Sequence, residues 1–276
     1  MQIINDPGAL ELLCANTRDA IGLVPTMGAL HEGHLSLIEK ARKFTQFVVV
    51  SDFVNPTQFG AGEDLDRYPR TLERDAERCR EAGADVLFAP SAGDMYPQGF
   101  SSWAATEGVT EILEGALRPG HFRGVTTVCL KLFNMTRCRK AFFGQKDYQQ
   151  LCVIKKLVRD LNVPVEIVPC ATVREADGLA KSSRNAYLTP DERERALSIS
   201  RGLFAAREAF RNGCADPREI EAVCLREIET SRPVKVDYVT LREQDTLEPA
   251  ARVRGSVLLA AVRYDSARLI DNLILQ

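Results

Sequence analysis

Residues 20–54 read AIGLVPTMGALHEGHLSLIEKARKFTQFVVVSDFV, and the fold follows from this stretch. It opens with a short apolar run, AIGLVPTM, that closes on Pro25 and Gly28. HLSLIEKARKF then places Leu35, Ile38 and Arg42 at helical spacing. QFVVVSDFV follows, a β-branched run that reads as a strand buried on both faces. Strand, helix and strand in this order predict a right-handed crossover in a parallel sheet.

The alternation continues outward. TLERDAERCREAGA (71–84) reads as a surface helix ending at Gly83, and DVLFAP (85–90) as a short strand. VTTVCLKLFNMTR and DYQQLCVIKKLVRDL read as helices, with KAFFG and VPVEIVPCATV as strands. This pattern predicts a doubly wound α/β domain, whose ligands sit at the carboxyl ends of the strands. It changes at Thr189-Pro190-Asp191-Glu192, a capping box with proline at the first helical position. Two helices and three strand-like runs, KVDYVTLRE, GSVLLAAVRY and ARLIDNLIL, complete the chain. The expected organisation is an α/β domain over residues 1–182 and a smaller α+β domain over 183–276.

Composition limits the function classes. The 276 residues are 45% apolar and 27% charged, with a formal net charge of −2 and acids and bases interspersed. No basic stripe suggests nucleic acid, and no apolar run is long enough to span a bilayer. MQIINDPGAL lacks the basic start and apolar stretch of a leader. A cytoplasmic protein is expected. The eight cysteines stand singly, without a CxxC pair, and read as small core residues.

Two of the three histidines fall in Met27-Gly28-Ala29-Leu30-His31-Glu32-Gly33-His34, between a strand and a helix. Exposed backbone N–H groups and the positive end of the helix dipole are expected to form an anion site there. Gly28 and Gly33 would let a phosphate approach the backbone, and His31 and His34 would donate to its oxygens. The spacing is not HExxH, and neither a P-loop nor a GxGxxG motif is present. A second group is Gly144-Gln145-Lys146-Asp147-Tyr148-Gln149-Gln150. Lys146 suits a phosphate, Asp147 either a ribose hydroxyl or a helix cap, and Gln150 lies one turn beyond Lys146. In DGLAKSSRN (177–185), two hydroxyls and a guanidinium suggest a phosphate clamp, or a plain solvated turn. In FVNPTQFG (53–60), Gln58 can pair with a hydroxy acid, while Asn55-Pro56 also reads as a structural turn.

Taken in order, PTMGALHEGH, FVNPTQFG, EDLDRYPRT, RPGHFRGV, FGQKDYQQ and DGLAKSSRN resemble the pantothenate synthetases, members of the HIGH-type nucleotidyltransferase superfamily. The resemblance covers about two-thirds of the chain, from Pro25 to Asn185, and continues in outline through VDYVTLRE and RLIDN. It implies a Rossmann-like domain with a small C-terminal lid, in a homodimer. The implied reaction joins pantoate to β-alanine with ATP and Mg²⁺, through a pantoyl-adenylate that β-alanine attacks to release AMP. By the same resemblance Met27, Gly28, Ala29, Leu30, His31, Glu32, Gly33 and His34 would line the ATP site. His34, with His31 and Lys146, would be catalytic, and His34 the proton donor. Gly144, Gln145, Lys146 and Asp147, together with Lys181, Ser182, Ser183 and Arg184, would contact ATP. Val173 would meet the adenine through its backbone, and Asp75 is a candidate for the metal's shell. Gln58 and Gln150 would hold pantoate, with Gln58 near β-alanine as well. Lys181 departs from the family, which usually has an aliphatic residue there.

Two other readings start from the same residues. An adenylyltransferase acting on a phosphate ester would share the HxGH chemistry but would not need Gln58 and Gln150. A silent nucleotide-binding scaffold would not need His31, His34, Lys146 and Arg184 together.

Overall fold

The computed structural model describes residues 1–276, which divide into two compact units. One comprises Met1–Gln145 with Val153–Ala171, the other Lys146–Cys152 with Thr172–Gln276.

The first unit is built on β1 (Gln2–Ile4), α1 (Pro7–Asn16), β2 (Ile21–Thr26), α2 (Glu32–Phe44), β3 (Phe47–Asp52) and α3 (Leu72–Glu81). There follow β4 (Val86–Phe88), two single-turn helices, α4 (Ala92–Met95) and α5 (Glu114–Leu117), then α6 (His121–Thr136) and β5 (Lys140–Gly144). After α7 (Tyr148–Asp160) comes β6 (Glu166–Cys170). The six strands form one parallel sheet in the order β1-β4-β3-β2-β5-β6. Each crossover helix turns an apolar stripe to the sheet: Leu37, Ile38 and Ala41 of α2 pack with Val24, Val48, Val50 and Phe142. The run VVV in β3 is fully buried, as expected of a central strand covered on both faces.

The strand order reverses at β2, since β3 and β4 lie on one side of it and β5 and β6 on the other. The loops after β2 and β5 therefore leave the sheet at neighbouring carboxyl ends, where the two strands part. Pro25 marks that parting. Thr26 bonds toward β3, its N–H to Ser51 Oγ and its carbonyl to the Phe53 N–H. Pro25 therefore faces the other side, where pairing with β5 has already ended at Leu23–Ala141. A residue without an N–H orphans no donor there.

The second unit contains α8 (Pro190–Arg211), α9 (Pro217–Glu229) and the antiparallel sheet β7 (Lys235–Glu243), β8 (Ser256–Arg263) and β9 (Arg268–Leu275). The capping box is present: Thr189 Oγ1 accepts from the Glu192 N–H, and the Glu192 carboxylate accepts from the Thr189 and Ser266 N–H groups. These bonds hold the Glu192 carboxyl down at about 2. Leu197, Leu203, Ile220, Ile228, Leu258 and Val262 form the core beneath the sheet. All eight cysteines are free thiols and only Cys214 is not buried, which agrees with core packing.

Candidate active site

The loop after β2 departs from the backbone anion site that its sequence suggests. Gly28 and Ala29 are both left-handed, with φ of 76° and 49°. The turn directs the Ala29 and Leu30 N–H groups inward, where the two oxygens of Asp75 accept them at 2.8 Å each. The Gly28 N–H donates to Thr26 Oγ1, and those of His31 and Gly33 to the ring Nδ1 atoms of His34 and His31. These five donors are satisfied within the protein and are not aimed at a ligand. The cause is Asp75, a carboxylate from α3 with no solvent exposure that also accepts from Thr71 Oγ1. Gly28 likewise has an inward reason to lack a side chain, because a Cβ there would overlap Asp52 Oδ1.

What the loop presents instead is imidazole. His31 is the N-cap of α2, and His34 closes a reciprocal capping box with it. Each Nδ1 accepts a backbone N–H, at 3.1 Å for His31 and 3.3 Å for His34. The tautomers follow from this network: a neutral ring that accepts at Nδ1 carries its proton on Nε2. The rings stack with centroids 4.0 Å apart, so two Nε2–H donors lie side by side at the start of a helix. Two such donors are suited to charge that develops on phosphoryl oxygens.

Gln58 lies close by in the same unit. It ends a single 3-10 turn, Pro56–Gln58, capped by Asn55. Asn55 Nδ2 donates to Gln58 Oε1 at 3.0 Å, and Asn55 Oδ1 accepts from Tyr96 and from the Thr57 hydroxyl. Gln58 Nε2 donates to Met27 Sδ, a weak acceptor that a ligand oxygen readily replaces. The structure thus joins Met27 of the histidine loop to Gln58. Gly124 of α6 fits tightly under this turn, where a Cβ would lie 2.5 Å from the Thr57 carbonyl oxygen.

The third histidine supports the same turn. His121 Nδ1 donates to the Gln58 carbonyl at 2.8 Å, and its Nε2 faces Arg118 Nη1 at 3.1 Å. Burial first, and then the Arg118 charge, push the imidazole down to about 4. It is therefore neutral at pH 7 and serves geometry. Arg118 is bidentate to Glu63, at 2.6 and 2.7 Å, and holds that carboxyl below the usual range against the opposing effect of burial. RPGHFRGV thus contains a support for Gln58, a role its sequence alone does not disclose.

Gly144 ends β5, and Gln145 begins the 3-10 turn that runs to Asp147. In the second unit, Lys146 lies 3.9 Å from Asp147 Oδ1, and Gln150 is half-buried one turn along α7. The Lys146 carbonyl accepts from Asn272 Nδ2 at 2.8 Å. The neighbouring Asp271 is bidentate to Arg174, whose guanidinium also binds the Gly178 carbonyl. Strand β9 therefore secures both the Lys146 segment and the loop that carries Lys181–Arg184. Lys146, Asn185, Ser200 and Asp271 line a small cleft. Ser182 Oγ caps the 3-10 turn Ser183–Tyr187 by accepting the Arg184 N–H. Val173 accepts the Lys181 N–H through its carbonyl at 3.0 Å.

Lys181 matches neither a lysine reaching for phosphate nor one pointing into water. Its ammonium pairs with Glu175 at 2.9 Å and the side chain is 18% exposed. A partly buried pair of this kind within one loop contributes little. Lys181→Met is expected to leave kcat and the KM for ATP within about twofold of the wild type, against the roughly 1.4 kcal/mol of a tenfold change. A tenfold rise in KM at unchanged kcat would assign the ammonium to the nucleotide.

No three His, Cys, Asp or Glu side chains converge as a metal centre. Asp75, the candidate from sequence for the metal's shell, accepts the Ala29 and Leu30 N–H groups at 2.8 Å each.

A six-stranded parallel sheet with an HxGH helix entrance at its switch point defines a Rossmann-like enzyme of the nucleotidyltransferase type. The chain belongs to the pantoate-beta-alanine ligase family, whose model matches residues 2–274. The pantothenate synthetase of Moorella thermoacetica is 53% identical over 280 residues, covering 100% of this chain and 99% of the relative. That of Acetivibrio thermocellus is 50% identical over 277 residues, covering 100% and 99%. The crystal structure of Thermus thermophilus pantothenate synthetase superposes with a TM-score of 0.96 at 46% identity, covering 100% of this chain and 99% of the other. Francisella tularensis pantoate-beta-alanine ligase, complexed with beta-gamma ATP and beta-alanine, gives a TM-score of 0.81 at 35% identity, covering 99% and 97%.

Proposed function

We propose that this chain condenses pantoate with β-alanine at the expense of ATP, through a pantoyl-adenylate, releasing pyrophosphate and AMP. The observation that carries the reading is the buried Gln58, whose amide oxygen accepts from Asn55, whose backbone carbonyl accepts from His121, and whose amide nitrogen donates to Met27 of the histidine loop. In the first step a pantoate carboxylate oxygen attacks the α-phosphorus, and the bond to pyrophosphate breaks. His34, with His31, donates to oxygens whose charge grows as pyrophosphate departs, and Lys146 adds a positive charge. Arg184 and the Ser182–Ser183 hydroxyls serve the phosphates, and Val173 the adenine. Gln58 and Gln150 hold the hydroxy acid in line. In the second step the β-alanine amine, near Gln58, attacks the carbonyl carbon, and AMP leaves with its bridging oxygen. In this reading residues 1–182 are the catalytic domain and 183–276 the smaller second one. The working form is a cytoplasmic homodimer. Mg²⁺ accompanies the ATP as the cofactor of the reaction.

Supplying ATP, pantoate and β-alanine together tests the reading, with AMP and pantothenate formed in equal amounts as the expected result. ADP in place of AMP would point to an acyl-phosphate and contradict it. Gln58→Ala is expected to raise the KM for pantoate at least about tenfold, because a buried polar partner is lost, with the Kd for ATP nearly unchanged. An equal loss of ATP affinity would assign Gln58 to the nucleotide or to the fold.

A further inference from the structure

Behind the Gln58 turn stands a tyrosine whose hydroxyl has no part in the chemistry above. Tyr96 follows the single-turn helix α4 and is half-buried. Its ring is held by other rings. It stacks on Trp103 with centroids 6.1 Å apart, meets Phe100 edge-on at 5.0 Å and lies tilted against Phe53 at 6.3 Å. Its hydroxyl donates to Asn55 Oδ1 at 2.9 Å and lies 3.3 Å from the Thr57 hydroxyl. A phenol stays protonated through the neutral range, so this donor is present at any working pH.

A side-chain amide has an accepting and a donating end, and its neighbours decide which end faces where. At Asn55 the decision falls to backbone groups that have no choice of role. The Thr57 N–H can only donate, and it meets Oδ1 at 3.3 Å. The Gly124 carbonyl can only accept, and it meets Nδ2 at 3.2 Å. Nδ2 then also donates to Gln58 Oε1 at 3.0 Å, which leaves the Gln58 NH₂ turned to Met27 Sδ. The orientation of one amide thus sets that of the next. Thr57 belongs to the same turn as Asn55 and moves with it. From outside the turn, each end of the Asn55 amide has one anchor: the Tyr96 hydroxyl at the oxygen and the Gly124 carbonyl at the nitrogen, 41 and 69 residues away along the chain.

We propose that Tyr96 is a positioning residue for the acid substrate: by anchoring Asn55 Oδ1 it keeps the Gln58 amide turned so that its NH₂, and not its carbonyl oxygen, meets that substrate. The NH₂ donates to a carboxylate or hydroxyl oxygen of the acid. Turned the other way, Gln58 would set its own oxygen lone pairs against a carboxylate. Met27 Sδ, a weak acceptor, holds the NH₂ only until a substrate oxygen replaces it. The proposal rests on the reading of Gln58 as the residue that binds the hydroxy acid.

The test is Tyr96→Phe, which removes the hydroxyl and keeps the ring. Its kcat/KM for pantoate should fall about threefold to tenfold, as for one lost hydrogen bond. The fall should come through KM, with kcat within about twofold of the wild type and the Kd for MgATP unchanged. In a Gln58→Ala background the same substitution should alter kcat/KM by less than about twofold, because the amide it acts through is gone. A loss of equal size in both backgrounds would overturn the proposal, by confining Tyr96 to the stability of the turn. An unchanged KM for pantoate in Tyr96→Phe would overturn it as well. Should Tyr96→Phe fail to fold, two other variants give the same comparison: Tyr96→para-aminophenylalanine keeps a donor, and Tyr96→para-fluorophenylalanine fills the same place without one. Gln58→Ala distinguishes this failure from that of the acid site. If it raises the KM for pantoate and Tyr96→Phe does not, only the Tyr96 role falls; if neither does, the reading of Gln58 falls with it.

Discussion

His34→Ala lowers kcat by about 10²–10³, the loss expected when one donor aimed at developing charge is removed. The ring's other nitrogen sets a secondary cost. His34 Nδ1 accepts the His31 N–H, so truncation also opens the capping box at the start of α2. A lost cap costs about 1 kcal/mol of stability and moves Tm by a few degrees. The two effects separate cleanly, since thermal melting reads the cap and turnover reads Nε2. Asparagine can restore the cap but cannot place a donor where Nε2 lies. His34→Asn should therefore regain stability and remain slow. A folded His34→Ala protein with near-normal kcat would remove this residue from the mechanism.

Asp75→Ala is expected to cause the largest combined loss of stability and activity. Its carboxylate is the acceptor for two loop N–H groups and a hydroxyl, the N–H groups lying 46 and 45 residues away along the chain. Leaving two such donors unpaired costs about 1–3 kcal/mol each, which corresponds to a fall in Tm of about 10 °C. Without that anchor the left-handed turn at Ala29, itself strained by about 1 kcal/mol, relaxes, and both histidines lose their placement. Turnover should then fall at least as far as in His34→Ala. Burial first, and then the Asp75 charge, push the Asp52 carboxyl up to about 7, so the stability penalty is larger at pH 6 than at pH 8, where Asp52 is ionised in the wild type. Differential scanning calorimetry at the two pH values measures this directly. A Tm unchanged at pH 6 would show that the loop does not depend on Asp75.

What the sequence discloses is what repeats or caps locally. Alternating apolar runs and helical stripes disclose the parallel sheet from β2 to β6, and Thr189 with Glu192 discloses the start of α8. Strand β1 and helix α1 are not anticipated. Three residues are too few to show a period, although Asp6 before Pro7 is a cap-and-proline start that a closer reading could use. The histidines, Gln58 and Lys146 are legible because they cluster along the chain. Asp75, His121 and Asp271 act on partners 46, 63 and 97 residues away, and no local pattern carries such a relation. Gly28 shows the consequence. Its sequence setting suggests a phosphate above the backbone, whereas in the structure a carboxyl lies below it.

The central claim is that pantoate is activated as an adenylate before β-alanine takes part. It is tested most directly by exchange of labelled pyrophosphate into ATP, with β-alanine omitted. The account predicts exchange that requires pantoate and is strongly reduced in His34→Ala. Exchange that occurs without pantoate, or that appears only when β-alanine is added, would contradict it.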